Sequence, residues 1–209
     1  MTLLGRDDLE KAMESSSDDR LIVTPLLDRN QIGRGAIDLR LGTEFLLLRR
    51  IDQPGLNPAT DSQDAIDSMH ERVLVPFGGE FWLHPRHFVL AATLEFLKMP
   101  SDLGAYVVGR SSWGRLGLIV ATAVMVHPGF RGCLTLELVN EGDTPIRLAP
   151  GTPIAQLAVH RLENPAERRP GEDDKYSAPV RPQASRLATE KSRFKKLEDV
   201  ESALRSRLG

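Results

Sequence analysis

The sequence holds one cysteine, Cys133, and is poor in aromatic residues at 5%. One thiol excludes an intrachain disulfide framework and any multi-cysteine metal site, which fits a reducing, cytoplasmic setting. Neither sign of charge dominates: 27 basic residues face 29 acidic ones, for a formal charge of −2. Bulk attraction to nucleic acid or to an anionic membrane is therefore not expected, and any anionic ligand has to be met by a local cluster of arginine or lysine. No apolar run approaches the roughly 18 to 20 residues a membrane helix needs, and the acidic start, with Asp7 and Asp8, does not read as a signal peptide. The expectation is a soluble protein without internal repeats.

What is present is a pattern of short apolar runs. With 41% apolar residues in 209, the chain can bury one substantial core. Residues 6–14 read as a short helix with acids in its first turn. From Leu21 to Leu162, β-branched and leucine-rich runs are divided by proline and glycine: 21–23, 36–41, 44–48, 73–76, 88–92, 105–108, 134–139, 146–148 and 154–159. That spacing predicts an all-β sandwich or barrel. Pro150 to Pro153 marks a tight turn, and residues 52–69 read as a polar surface excursion. Residues 163–187 are polar and read as a flexible arm. Residues 188–209 regain helical character, with Phe194, Leu197, Val200, Leu204 and Leu208 on one face that is expected to pack on the body or on another subunit.

The densest chemical signal is Gly109-Arg110-Ser111-Ser112, followed by Arg115 and placed between a strand and an apolar run. Glycine lets backbone approach an anion, hydroxyls and amides donate to it, and arginine binds it with charge-assisted bonds. The same letters also suit a solvated turn. Farther on, Glu137 lies between Leu136 and Leu138, so strand alternation puts it on the face of Thr135 and opposite the leucines. Either that face is solvent, or Glu137 is a carboxylate in a pocket where partial burial raises its pKa towards proton-transfer use. His84 and His87 have a metal-like spacing but no third ligand, so a strand-end turn is expected there. His70 and His160 read as surface residues, and Trp82 and Trp113 as core or interface packing.

Gly109 to Gly117, His127 to Asn140 and Leu148 to Leu157, with the earlier 36–42, 81–85 and 93–95 segments and the later 173–176 and 184–186 segments, resemble in order the motifs of the dCTP deaminase family. The resemblance implies a mainly β, dUTPase-like barrel or jelly-roll-type sandwich over residues 1–162, carrying a short N-terminal helix. The 163–187 arm would close the active site, and 188–209 would be a helical extension. It implies a homotrimer with inter-subunit sites and a deoxycytidine nucleotide as substrate, with Mg²⁺ carried by the triphosphate. The zinc centre of most nucleobase deaminases has no counterpart in the sequence, which lacks their H-x-E and C-x-x-C signature. By carry-over, Glu137 is the general base, Arg110, Ser111 and Ser112 hold phosphates, and Ser111 and Arg115 also face the reaction centre. Arg110, Ser112, Gln156 and Lys175 meet the nucleotide, Thr122 and Ala123 orient water and amine, and Phe130 packs on the deoxyribose beside His127.

The chain also departs from the family pattern. His127 stands where superfamily diphosphatases carry an acid that activates water for attack on phosphorus, and an imidazole cannot mimic a constant carboxylate. The loop from Gly117 to Thr122 is one residue short, and Pro179 replaces a polar arm residue. The expected reaction is hydrolysis of dCTP to dUTP and ammonia. The alternatives are a non-catalytic deoxynucleotide-binding homologue and a dUTPase-like diphosphatase, the latter disfavoured by His127.

Overall fold

Alternation of inward apolar and outward polar residues organises most of the chain. A computed structural model describes residues 2–49, 55–57, 60–121, 125–165, 178–190, 200 and 204–206. Two compact units emerge, Met1–Leu47 with Arg72–Gln183, and Leu48–Glu71 with Ala184–Gly209.

The larger unit is mainly β, as the run spacing predicts. Helix α1 (Arg6–Glu14) forms over the expected residues, with Asp7 and Asp8 in its first turn and Leu9 fully buried. Strands β1 (Thr2–Leu3), β2 (Ile22–Thr24), β3 (Ile37–Leu48), β4 (His70–Leu74), β6 (Phe88–Lys98), β7 (Leu103–Gly109) and β8 (Leu118–Val120) join β9 (Met125–Val126), β10 (Arg131–Asn140) and β12 (Pro153–Arg161) in one sheet. Its main path runs β8-β10-β6-β3-β12-β7-β9, with β1 beside β12 and β2 beside β6. The two runs expected at 36–41 and 44–48 are one strand, β3, whose pairing with β6 shifts register between Leu41 and Phe45. Strands β5 (Phe81–Leu83) and β11 (Ile146–Leu148) form a separate pair, so the Pro150–Pro153 turn passes the chain from one sheet to the other. The short strands β1, β5, β8 and β9 are absent from the sequence reading.

Ile37, Leu39 and Leu41 of β3 meet Leu157 and Val159 of β12 in the core, all fully buried. Burying such a side chain contributes about 1.5–3 kcal/mol. The intervening Asp38 is half-buried, while the Arg40 side chain, 14% exposed, pairs with Glu95. The sheet curls until β8, at one edge, meets the end of β7 near the other. A Cβ on Gly109 would lie 3.2 Å from Val120 Cγ2, tighter than ordinary van der Waals contact. Under β3 lies a buried carboxylate, Glu95, which accepts from Arg40 N at 2.8 Å and from Gln31 Nε2 at 2.9 Å. Burial pushes its carboxyl above the ordinary glutamate value, against the opposing pull of Arg40.

Within the expected arm, residues 178–183 are seated on the start of β10. Cys133 N donates to Pro179 O at 2.6 Å, Gln183 N donates to Thr135 Oγ1 at 3.1 Å, and Arg181 Nε pairs with Glu44 at 3.2 Å. Gly132 makes this approach possible: its φ is +140°, and an added Cβ would fall 2.4 Å from Pro179 Cδ and 2.7 Å from its carbonyl oxygen. Gly132→Val is expected to destabilise the unit by about 2–4 kcal/mol, from backbone strain plus overpacking. Urea unfolding checks this, and an unchanged midpoint would show that the segment does not pack as described.

In the smaller unit the expected polar excursion contains a helix, α2 (Gln63–Ser68). Ser62 caps it by accepting from Ala65 N at 3.2 Å, and Ile66 and Met69 are buried. Ser62 with Ile66 and Met69 is a capped amphipathic turn, which the surrounding polar residues hide from a search for longer periodicity. Gln63 Nε2 donates to Ser185 O at 2.8 Å, just before a 3-10 turn at Leu187–Glu190. Of the expected terminal helix, Phe194, Leu197 and Leu208 lie outside the described residues, while Val200 and Leu204 are 55% and 53% exposed on the single chain.

Trp113 packs half-buried against the core, and Trp82 is 51% exposed on the outward face of β5, away from the core. One further expectation is corrected. His70 and His160 are half-buried: His70 Nδ1 meets Ile66 O at 2.9 Å, and the His160 ring stands edge-on to Tyr106 at 5.3 Å. His84 and His87 do sit in a turn, with ring centroids 5.9 Å apart.

Candidate active site

Strand β7 ends at Gly109, and the chain turns at once into a single helical turn, α3 (Ser111–Gly114). Arg110 is extended at φ −72° and ψ 131°, its N–H bonds Ile154 O at 3.2 Å, and its carbonyl accepts from Trp113 N at 3.0 Å. This arrangement fixes where the Arg110 side chain leaves the backbone. Trp113 Nε1 donates to Pro153 O at 2.9 Å, so the indole forms a wall that bridges α3 and β12. Arg110, Ser112, Trp113, Leu116 and Pro153 line a groove of about 280 Å³. Ser111, Ser112 and Arg115 are exposed at its rim or beside it, with Arg115 N bonded to Ser111 O at 3.0 Å.

The floor beside the groove is polar. Asp38 of β3 forms an ion pair with Arg110 through Oδ2, and its Oδ1 accepts from Gln156 Nε2 at 2.9 Å. The structure thus brings Arg110, Ser112 and Gln156 together, as the sequence reading groups them, and adds Asp38, to which that reading gives no role. A signal for Asp38 exists: within 37–41 it and Arg40 are the charged positions alternating with three apolar ones.

Glu137 is near the far end of β10, between the fully buried Leu136 and Leu138. Its carbonyl accepts from Ala121 N at 2.8 Å, and across the sheet it faces Leu90. The alternation argument holds, since Glu137 shares a half-buried face with Thr135. Burial of that face pushes the Glu137 carboxyl above the ordinary glutamate value. Strand β8 links the two features by pairing with β10 on one side and packing against α3 on the other.

His127 and Phe130 are apart from this cluster. His127 is exposed at the start of a turn in which Phe130 N donates to its carbonyl at 3.2 Å, and Met99 fastens the turn by donating to Phe130 O at 2.8 Å. Phe130 packs half-buried against the core. Six residues of β10 lie between Phe130 and Glu137, which sets their backbones roughly 20 Å apart at about 3.3 Å per step. Thr122, Ala123 and Lys175 lie outside the described residues.

Residues 3–162 match the sequence profile of a family described as dCTP deaminase-like. The chain is 38% identical over 191 residues to a "dCTP deaminase, dUMP-forming" of Methanobrevibacter smithii, covering 90% of this chain and 96% of that protein. It is 41% identical over 189 residues to a dCTP deaminase of Haloarcula marismortui, covering 88% and 94%. Its fold is similar to that of 2′-deoxycytidine 5′-triphosphate deaminase from Agrobacterium tumefaciens, with a TM-score of 0.58 and 24% identity over 75% of this chain, which spans 46% of that protein's length. With a profile that covers most of its length and relatives of 38% and 41% identity, the chain belongs to the dCTP deaminase-like family.

Proposed function

We propose that this protein hydrolyses dCTP to dUTP and ammonia, with Glu137 as the general base. The observation that carries the reading is a half-buried glutamate of raised pKa on β10, joined through β8 to a groove holding Arg110 and Ser112. In this reading Arg110, Ser112 and Gln156 hold phosphates, and Mg²⁺ arrives with the triphosphate, as it commonly does. Glu137 takes a proton from a water that attacks C4 of cytosine. Glu137 delivers that proton to N3, the remaining proton of the new C4 hydroxyl passes to the amine, the C4–N bond breaks, and ammonia leaves a uracil ring with a C4 carbonyl. Ser111 and Arg115 face the ring, Thr122 and Ala123 orient water and amine, and Lys175 contacts phosphate.

The ~20 Å between Phe130 and Glu137 exceeds the span of a nucleoside, so a Phe130 that packs on deoxyribose comes from another copy of the chain. One outer face of the sheet supports such an assembly, since Leu3, Val108 and Met125 are 49%, 44% and 43% exposed on it. A homotrimer is proposed, and sedimentation should give three times the 23.1 kDa chain mass. A monomer at micromolar concentration would contradict it.

A second reading makes dUMP the product, and the Methanobrevibacter relative's name favours it. His127, exposed where a phosphorus-attacking site calls for a constant carboxylate, favours dUTP. Chromatography of dCTP, dCMP, dUTP and CTP incubations with Mg²⁺ tests both: dUTP and ammonia from dCTP alone is expected, and pyrophosphate release would favour the second reading. Unchanged dCTP would remove both and leave a nucleotide-binding homologue.

The pH profile follows from the direction of the Glu137 shift. A base works only when deprotonated, so kcat/KM falls as pH drops through the raised pKa, and the acid limb should lie above the ordinary glutamate range. A limb at the ordinary value would show that Glu137 is not the base.

A further inference from the structure

We propose that Asp38 is a positioning residue for nucleotide phosphate, holding Arg110 and Gln156 in the orientation in which they meet it. The proposal rests on the deaminase reading of the groove.

The sheet register builds this arrangement. Asp38 of β3 and Gln156 of β12 are direct cross-strand partners, and Gln156 also faces Val108 of β7, two residues before Arg110. Three strands therefore deliver one carboxylate, one amide and one guanidinium to a single outer face. Both oxygens of Asp38 are engaged, Oδ2 by Arg110 Nη1 and Oδ1 by Gln156 Nε2 at 2.9 Å. Its backbone is held from below, where its carbonyl accepts from Gln31 Nε2 at 2.8 Å. Gln31 is 2% exposed and bonded in turn to the buried Glu95 at 2.9 Å. Asp38 thus stands on a fixed base.

A carboxylate beside a phosphate site repels the ligand, so its presence calls for a compensating role. Arginine offers five N–H donors in one plane, and committing Nη1 to Asp38 sets that plane while leaving the other donors for the groove. Capturing the Gln156 amide nitrogen fixes that side chain in the same way. Orientation set before binding spares the ligand the cost of ordering two long side chains. The opposite possibility, that Asp38 competes with phosphate for Arg110, predicts tighter binding once it is removed.

Asp38→Asn, Arg110→Ala and the double variant form a cycle, read as KM and kcat for dCTP and as calorimetric Kd for Mg·dCTP. Asp38→Asn is expected to raise KM and Kd about tenfold with kcat within about twofold, and to add less than about twofold in the Arg110→Ala background. Asp38→Ser repeats the test should the amide disturb the strand. Tighter binding, a full tenfold effect without Arg110, or a loss confined to kcat would overturn the proposal. A wild type that binds dCTP without turning it over would overturn the deaminase reading alone, since Kd still decides the role of Asp38. A wild type that does neither would overturn both.

Discussion

Glu137→Gln is expected to lower dCTP turnover by about 10²–10⁴-fold, the range in which a positioned acid–base group acts, with dCTP affinity nearly unchanged. Glutamine keeps the shape of the side chain but cannot accept a proton from water. The substitution does not touch the core, because Leu136 and Leu138 on the opposite face supply the packing of this part of β10. Phosphate contacts are assigned to α3 and β12, other elements of the site, so Kd by calorimetry should hold steady while ammonia release collapses. Retained turnover in the variant would place the base elsewhere, and a parallel loss of affinity would make Glu137 a binding group.

Arg110→Ala is expected to raise KM for dCTP by about 100-fold, because hydrogen bonds to charged groups contribute about 1.5–3 kcal/mol each. Steady-state kinetics separates this from a catalytic defect: KM should carry the change and kcat should stay within a few-fold. An effect on kcat alone would move Arg110 from the phosphates to the reacting ring.

Much of the architecture is legible in the chain because it depends on local patterns. Helix α1 is marked by Asp7 and Asp8 before an apolar stripe, and the face of Glu137 follows from its place between two leucines. Strands β1, β5, β8 and β9 are only two or three residues long and exist through their partners, whereas β2 and β11, equally short, are marked by apolar runs set off by polar neighbours. Helix α2 is hidden for a related reason, since two buried side chains in a polar stretch do not make a stripe. The grouping of Arg110 with Ser112 follows from adjacency. The Asp38 clamp joins positions 38, 110 and 156 through two strand registers, and no local pattern encodes those pairings. Family resemblance supplies the chemistry, while the sheet shows how the residues meet.

Turnover of dCTP in H₂¹⁸O tests the central claim most directly. The proposed mechanism places one ¹⁸O on C4 of the uracil ring, leaves the triphosphate unlabelled, and releases one ammonia per nucleotide. Label in phosphate beside that in the ring would mean that dUMP is formed. A ring without label, or dCTP recovered unchanged, would contradict the assignment of this groove and Glu137 to deamination.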